Sequence, residues 1–263
     1  MLYYLLYPLH TEVSAFNLFR YITVRAAYAG ITALILSAIF GPKLISFLSG
    51  HNFFAGIREK GIPSQEEKKD IIPTMGGVLI IGVAVISTLL WSDLIEPLVW
   101  VALLSFIGFG VVGLADDISK IKGKGMRPRV KILYQVIISG CVGVYMLLLP
   151  KNPAFQTYTS LLFFKNIFLC LGWFYIPFIL LVIVGASNST NLADGLDGLA
   201  IGLMAEVALA YAVLSYTTGN IKLSEYLSIL YVPGSGELTI FLASIAGSAI
   251  GFLWYNTDRK SVV

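Results

Sequence analysis

Seven apolar runs alternate with short polar segments along this chain. They cover residues 22–48, 73–91, 97–115, 131–149, 173–190, 198–218 and 238–256. A helix needs roughly 20 apolar residues to cross the hydrocarbon core of a bilayer, and each run is close to that length. The pattern therefore predicts an all-α fold, a polytopic membrane helical bundle with about seven transmembrane helices. Residues 1–263 then form a single integral membrane domain.

A shorter stretch, residues 161–171, decides between seven and eight spans. It places Phe163, Phe164 and Phe168 around Lys165. Because polar residues interrupt the stretch, we interpret it as lying in the membrane interface, with eight spans as the alternative. Composition supports a membrane protein, since 57% of the residues are hydrophobic, 13% are charged and the mean hydropathy is +0.82. These values exceed what a soluble domain of this length carries.

Basic residues are concentrated in alternate loops. One set of loops collects Arg58, Lys60, Lys68, Lys69, Lys120, Lys122, Lys124, Arg127, Arg129, Lys131, Arg259 and Lys260. The opposite loops hold Lys151, Lys165 and Lys222. The positive-inside rule therefore places the first set in the cytoplasm and the N-terminus outside. The net charge of +3 reflects this topology and gives no indication of a nucleic-acid partner.

Three polar clusters fall on the predicted cytoplasmic side. Residues 68–77 lie at the entrance to the second apolar run, and Asp116 and Asp117 directly follow the third. Residues 188–198 read Asn-Ser-Thr-Asn-Leu-Ala-Asp-Gly-Leu-Asp-Gly, and they begin in the last residues of the fifth run, after its apolar stretch 174–184. Carboxylates at a helix C-terminus oppose the helix dipole, and charge beside hydrocarbon is costly. We therefore expect these clusters to have a function.

Carboxylates, amides and lysines at one membrane face favour an anionic substrate bound through a divalent cation. Mg²⁺ prefers hard oxygen ligands and leaves part of its coordination shell to substrate phosphates. Phosphoryl transfer needs charge neutralisation, an aligned nucleophile and sometimes a carboxylate base. The pattern favours a reaction at the membrane surface between a lipid phosphate and a nucleotide-linked substrate.

Three motifs together resemble those of a known family. They are Pro-Thr-Met-Gly-Gly at 73–77, the pair Asp116 and Asp117, and Asp-Gly-Leu-Asp-Gly at 194–198. The sequence resembles the phospho-N-acetylmuramoyl-pentapeptide transferases, in the polyprenyl-phosphate N-acetylhexosamine-1-phosphate transferase superfamily. The N-terminal segment is also similar, so the resemblance covers nearly the whole chain. The acidic motifs are shared across the superfamily, whereas residues 73–77 point to the muramoyl-pentapeptide branch.

This resemblance implies transfer of phospho-N-acetylmuramoyl-pentapeptide from its UDP-linked donor to undecaprenyl phosphate. The products are lipid I and UMP, and the cofactor is Mg²⁺. The reaction is the first membrane step of peptidoglycan synthesis, which serves the cell wall, cell shape and cell division. The expected location is the bacterial inner (cytoplasmic) membrane with the active-site face cytoplasmic. The expected partners are the bilayer, undecaprenyl phosphate and UDP-N-acetylmuramoyl-pentapeptide, and the Gly-rich helices are compatible with a homodimer.

The resemblance also implies residue roles. Asp116 matches the catalytic carboxylate proposed to deprotonate or orient the lipid phosphate, and Asp117 matches its electrostatic partner. Lys120 and Lys131 match lysines that neutralise phosphate charge. The residues that match positions lining the nucleotide-sugar site are Lys69, Thr74, Asn191, Asp194 and Asp197. Asn191 also resembles a metal-side amide, and Asn256 matches an Asn near the site at the end of a later helix.

The chain departs from the family pattern after Asn256. There the family continues to a Met-Gly-Asp-Thr-Gly-Ser stretch, whose Asp is the main Mg²⁺ ligand, and later to a His-rich cytoplasmic loop. Here seven residues follow Asn256. We therefore expect a truncated chain that lacks the C-terminal part of the family fold, binds magnesium poorly and turns over little or no substrate.

Two other functions stay open. An N-acetylglucosamine-1-phosphate transferase would share the acidic motifs and the lipid acceptor, although residues 74–77 argue against it. An ion-coupled transporter would place its polar residues near the bilayer midplane, whereas here they cluster at the cytoplasmic end. Glu206, inside the sixth run, is the residue that favours a transporter. We expect its side chain to face a protein interior.

Overall fold

The computed structural model describes residues 1–50, 76–121, 125–148, 157–160, 168–193 and 198–258. Most of these residues are helical. The α-helices in this part of the chain are α1 (Leu2–Leu6), α2 (Ile22–Gly50), α3 (Gly77–Trp91), α4 (Pro97–Ile121), α5 (Pro128–Leu148), α6 (Tyr175–Ala193), α7 (Leu199–Thr218), α8 (Ile221–Leu227) and α9 (Leu238–Asp258). Short 3₁₀-helices cover Tyr7–Thr11, Ser14–Arg20, Gly172–Phe174 and Ser235–Glu237.

Six described helical segments are long and apolar enough to cross a membrane, which confirms the predicted all-α polytopic bundle. They are Ile22–Leu48, Pro97–Ile121, Pro128–Leu148, Gly172–Leu192, Leu199–Thr218 and Ser235–Trp254. The predicted span 73–91 is the shorter apolar helix α3, whose 15 residues extend about 22 Å. Residues 73–75 of that span lie outside the described residues. Because the external N-terminus stays a prediction, we name the two ends of the bundle by residues, the Asp116 end and the Glu237 end.

Part of the predicted interfacial segment, residues 161–171, forms a β-strand. Strand β2 (Phe168–Cys170) pairs antiparallel with β1 (Tyr158–Ser160), and Tyr158 lies opposite Cys170. The described end of the segment is therefore extended and does not add an eighth helical span. Residues 161–167 lie outside the described residues, and the position of the segment relative to a membrane interface stays a prediction.

Helix α9 lies at the centre of the bundle and packs against α2, α3 and α7. Its α2-facing side carries Ala243, Gly247 and Gly251, one residue per turn. A Cβ atom added to Gly247 would lie 2.1 Å from the carbonyl oxygen of Gly30, so the two backbones are in direct contact. Small residues allow this approach, and close packing drives helix association in membranes.

The rest of the bundle is arranged around this central pair of helices. A buried apolar cluster joins α3, α4, α7 and α9 through Ala84, Leu103, Ala208 and Phe241. Helix α5 packs on α4, and α6 packs on α5. The chain therefore runs outward from the α2–α9 centre, and the α4–α5–α6 layer carries the Asp116 end.

A buried ion pair closes the Glu237 end. The guanidinium of Arg25 donates two hydrogen bonds to the Glu237 carboxylate, at 2.6 and 2.9 Å. The backbone N–H of Asp93 donates to Glu237 Oε2 at 2.8 Å, and the Tyr3 ring lies 4.3 Å from the guanidinium carbon. The pair connects α2, the α3–α4 turn and the 3₁₀-helix before α9.

Glu206 does not face a protein interior, contrary to the expectation from the sequence. Its side chain is exposed on α7, on the side opposite the buried Ala205, Ala208 and Ala212. The apolar composition of the run predicted the helix correctly but contained no information on which side packs, because α7 is apolar all round.

Candidate functional site

Asp116 is the centre of the polar cluster at its end of the bundle. It lies in the last turns of α4, and the residue is 7% exposed. Its Oδ2 atom accepts from the ammonium groups of Lys120 at 2.9 Å and Lys131 at 3.2 Å. Lys120 is one turn further along α4, whereas Lys131 comes from the first turn of α5. Two cations from two helices therefore converge on one carboxylate oxygen.

The connection between α4 and α5 allows this convergence. Gly125 adopts a positive φ of 58°, which glycine reaches without steric cost, and its N–H donates to the carbonyl of Ser119 at 3.0 Å. The N–H of Met126 points to Asp116 Oδ1 at 3.4 Å. Pro128 then begins α5, a position that suits its fixed φ. The chain folds back over the end of α4 and places Lys131 beside Asp116.

Asp117 is more accessible than its neighbour. Its side chain is 37% exposed, compared with 9% for Asp116, and its Oδ1 lies 3.3 Å from Lys120 Nζ. Among the described residues the adjacent carboxylates therefore differ: Asp116 is enclosed by two lysines, whereas Asp117 is more accessible and contacts one lysine.

A ladder of polar side chains continues the site onto α6. Lys131 Nζ donates to Asn191 Oδ1 at 3.4 Å. One turn deeper in α5, Gln135 Nε2 donates to Ser187 Oγ at 3.1 Å, and Gln135 Oε1 accepts from Asn188 Nδ2 at 2.9 Å. These contacts bring α6, and with it Asn191, to the Asp116 cluster.

An open cleft of about 660 Å³ lies beside this ladder, between α4, α6 and α9. Most of its walls are apolar, with Phe106 and Phe109 from α4 and Phe241 from α9. Ser187 and Asn191 are among its polar lining residues. The cleft thus joins an apolar volume of the bundle to the residues of the polar ladder, an arrangement that suits a ligand with a hydrocarbon part and a polar head.

The structure brings together five of the residues that the sequence predicted for the site, namely Asp116, Asp117, Lys120, Lys131 and Asn191. Four others, Lys69, Thr74, Asp194 and Asp197, lie outside the described residues, and their roles stay predictions. Asn256 belongs to the last turns of α9.

Gln135 and Ser187 were missed by the sequence reasoning. A sequence signal existed for Gln135, since it is an amide inside an apolar run and lies four residues after a lysine.

The described residues fit a magnesium ion only in part. Among them there is no group of three His, Cys, Asp or Glu side chains able to hold a metal. Asn191, predicted on the metal side, has its Oδ1 atom 3.4 Å from the Lys131 ammonium, which would repel a divalent cation at the same oxygen. Asp117 fits better, because its side chain is partly exposed and, among the described residues, its Oδ1 accepts from one lysine, Lys120.

Comparison with known proteins adds an independent result. The profile described as "Glycosyl transferase family 4" matches residues 99–262. A phospho-N-acetylmuramoyl-pentapeptide-transferase from Citrifermentans bemidjiense is 47% identical over 265 residues, which cover 100% of this chain and 73% of that relative. Proteins of the same name from Pelobacter propionicus and Maridesulfovibrio salexigens are 45% and 44% identical. Their alignments cover 100% and 97% of this chain, and 73% and 71% of the relatives.

Proposed function

This chain belongs to glycosyl transferase family 4, alongside the phospho-N-acetylmuramoyl-pentapeptide-transferases, and from that premise we propose that it acts in lipid I synthesis. The proposed donor is UDP-N-acetylmuramoyl-pentapeptide and the proposed acceptor is undecaprenyl phosphate. The family resemblance is compatible with direct attack and with a covalent aspartyl-phosphate intermediate, and we propose the direct route. An oxygen of the lipid phosphate attacks the β-phosphorus of the donor. A new P–O bond forms, the bond to the bridging oxygen breaks, and UMP leaves.

The convergence of Lys120 and Lys131 on Asp116 is the observation that carries this proposal. An ammonium group has three donors, so each lysine keeps N–H groups beyond the one that it gives to Asp116. Phosphoryl transfer is accelerated mainly by positioned positive charge around the transferred group. The two lysines supply such charge at the end of a membrane bundle, where a lipid phosphate and a soluble nucleotide can meet.

The two carboxylates have different parts in this proposal. Asp116 is nearly enclosed and faces two ammonium groups, so it holds both lysines in place for the phosphates. Asp117 is the accessible carboxylate and lies at the same turn of α4. Because its side chain is 37% exposed, compared with 9% for Asp116, we propose that Asp117 approaches the incoming lipid phosphate and orients its attacking oxygen. This exchanges the roles that the family resemblance implies, in which Asp116 is that carboxylate and Asp117 its electrostatic partner.

Magnesium dependence is also proposed. Mg²⁺ is usually bound through one or two carboxylates together with substrate phosphates, and Asp117 is a suitable carboxylate for it. Asp194 and Asp197 follow α6 directly in the sequence and are the further carboxylates that the family resemblance assigns to the site. When bound, the ion would neutralise charge on the donor phosphates.

The apolar cleft supports a lipid acceptor. Its walls match an isoprenoid chain chemically, and Asn191 links its lining to Lys131. We place the Asp116 end on the cytoplasmic side of the bacterial inner membrane. The connection after Asp116 belongs to the alternate loops in which most of the basic residues lie, and such loops are cytoplasmic by the positive-inside rule. Association into a homodimer stays a prediction.

The test is Mg²⁺-dependent release of UMP from UDP-N-acetylmuramoyl-pentapeptide in membranes that contain undecaprenyl phosphate. We would compare the 263-residue chain with a version extended through the segment that the resemblance places after Asn256. We expect release from the extended form, and its loss in the Lys131→Met variant of that form. No release from the extended form would contradict the proposal. Equal release from both forms would contradict the expectation that the third acidic motif is required.

Donor choice is tested in the same membranes. UDP-N-acetylglucosamine in excess should leave UMP release from the muramoyl donor unchanged. Strong competition, with release from UDP-N-acetylglucosamine itself, would favour an N-acetylglucosamine-1-phosphate transferase.

A further inference from the structure

Gln135 is a buried amide inside a membrane-spanning helix. The residue is 1% exposed. A polar side chain in such a place costs free energy unless its donors and acceptors are paired. Both ends of this amide are paired with α6: Nε2 donates to Ser187 Oγ at 3.1 Å, and Oε1 accepts from Asn188 Nδ2 at 2.9 Å.

The position of this contact relates it to the anion-binding lysines. Gln135 follows Lys131 by four residues, so the two side chains lie on one side of α5, about 6 Å apart along the axis. Asn191 follows Ser187 by four residues and Asn188 by three, so all three share one side of α6. The contact of Lys131 with Asn191 and the contact of Gln135 with Ser187 and Asn188 are consecutive links between the same two helices.

The deeper link is the more restrictive of the two. The Lys131–Asn191 contact is 3.4 Å long, and Asn191 is exposed. Gln135 is bonded to two successive residues of α6 at once, and Asn188 is further fixed by donating to the carbonyl of Val184 at 2.8 Å. Two directional bonds from one planar amide fix both the translation and the rotation of α6 against α5.

Apolar packing elsewhere in this interface does not supply that restriction. At the far end of α5, a Cβ atom on Gly143 would lie 3.7 Å from Ile179 of α6, which is ordinary van der Waals contact. Such contacts are non-directional, and a shift of α6 by one residue, about 1.5 Å, would exchange one apolar neighbour for another. The same shift would move Asn191 away from Lys131.

We propose that Gln135 is a positioning residue, whose amide fixes the register of α6 against α5 and thereby holds Asn191 opposite Lys131. It does not touch the anion site itself. Because α6 ends at Ala193, the same register also sets the position of this end of the helix. This positioning would serve the proposed phosphoryl transfer, but the hydrogen bonds from which we infer it do not depend on that function.

The test measures how accessible the Lys131 amine is in the purified chain in detergent. The protein is labelled briefly with an amine-acylating reagent, and mass spectrometry of its peptides gives the ratio of Lys131 to Lys120 labelling. Lys120 is the internal reference, since Gln135 is not part of its contacts. Gln135→Leu replaces the amide with an apolar side chain of similar size and removes its hydrogen bonds to α6. We expect this variant to raise the ratio about fivefold, the effect of one net hydrogen bond on an equilibrium.

A length exchange separates positioning from general destabilisation. Gln135→Asn shortens one amide by a methylene group and Asn188→Gln lengthens the other, so each single variant should raise the ratio. The double variant restores the combined length of the two side chains. Because substitutions at contacting residues are not additive, we expect its labelling ratio to return to within about twofold of wild type. Ser139→Ala is the matched control and should leave the ratio unchanged, because this buried hydroxyl donates to the Gln135 carbonyl of its own helix and makes no hydrogen bond to α6 within the described part of the chain.

An unchanged ratio in Gln135→Leu, or a double variant as perturbed as the single ones, would overturn the positioning role. If Gln135→Leu does not fold, the two single variants and their combination carry the same test. Turnover is measured in parallel in the extended form, where Gln135→Leu should lower kcat about tenfold while the KM for the UDP-linked donor changes less than about twofold. If the labelling ratio responds but the extended form without substitutions releases no UMP, the positioning role stands and the proposed function is contradicted.

Discussion

Replacing Gly247 with Ala tests whether direct backbone contact between α2 and α9 holds the centre of the bundle. The new Cβ atom would lie 2.1 Å from the oxygen, 2.9 Å from the carbonyl carbon and 3.0 Å from the Cα atom of Gly30. All three are backbone atoms, so no side chain can rotate away. Because carbon atoms in contact need about 3.5 Å, the helices must separate by about 1 Å at this crossing.

The separation affects the neighbouring contacts of the same two helices. A Cβ on Gly251 would already lie 2.6 Å from the Ser37 Cβ, which shows how closely the next turn packs. Ser37 Oγ also donates to the carbonyl of Ser248 at 3.3 Å, and this hydrogen bond would lengthen. Overpacking costs about 1–3 kcal/mol and a lost hydrogen bond about 1 kcal/mol, whereas Ala gains up to about 1 kcal/mol in helix propensity. We expect a net loss of about 2 kcal/mol in the free energy of unfolding.

Reversible denaturation in mixed micelles measures this loss. The matched control is Gly82→Ala in α3, where an added Cβ meets no atom within 4 Å. We expect the control to be as stable as wild type or slightly more stable. Equal stability of the Gly247 variant and the control would refute the argument that the α2–α9 contact determines the packing.

Three further results are expected. Either single variant, Arg25→Met or Glu237→Leu, should lower the free energy of unfolding by about 3–5 kcal/mol, because each leaves a buried charge without its partner. In the same denaturation assay, the double variant should recover more than half of that loss. Asn220→Ala should cost about 1 kcal/mol, because the Asn220 Oδ1 atom caps α8 by accepting from the Lys222 N–H at 3.0 Å. Lys120→Met should change unfolding by less than about 1 kcal/mol, since its pairs are partly exposed, yet should weaken binding of a short-chain polyprenyl phosphate measured by calorimetry.

The spans were predictable because length and apolar content determine which segments can cross a membrane. Which side of a span faces protein was less predictable, as Glu206 shows: in an apolar helix the hydrophobic pattern contains little information on packing direction. The clustering of Asp116, Lys120 and Lys131 was predictable in part, because all three residues flank the same connection between two predicted spans and therefore lie at the same membrane face. The contact with Asn191 depends on the packing of α5 on α6, which Gln135 mediates, and no single-helix periodicity specifies such a contact.

The ion pairs at the two ends of the bundle differ in exposure. This difference assigns the Arg25–Glu237 pair to stability and the Lys120–Asp117 pair to phosphate binding. At the Glu237 end, the side chains of Arg25 and Glu237 are 4% and 11% exposed, so the pair cannot exchange partners without unfolding part of the bundle. At the other end, Lys120 and Asp117 are 40% and 37% exposed. A phosphate can replace a carboxylate as the partner of such a lysine at small cost, because both are anionic oxygen acceptors and water already reaches the pair. Asp116, enclosed behind them, keeps Lys120 and Lys131 in place while their outer N–H groups change partners.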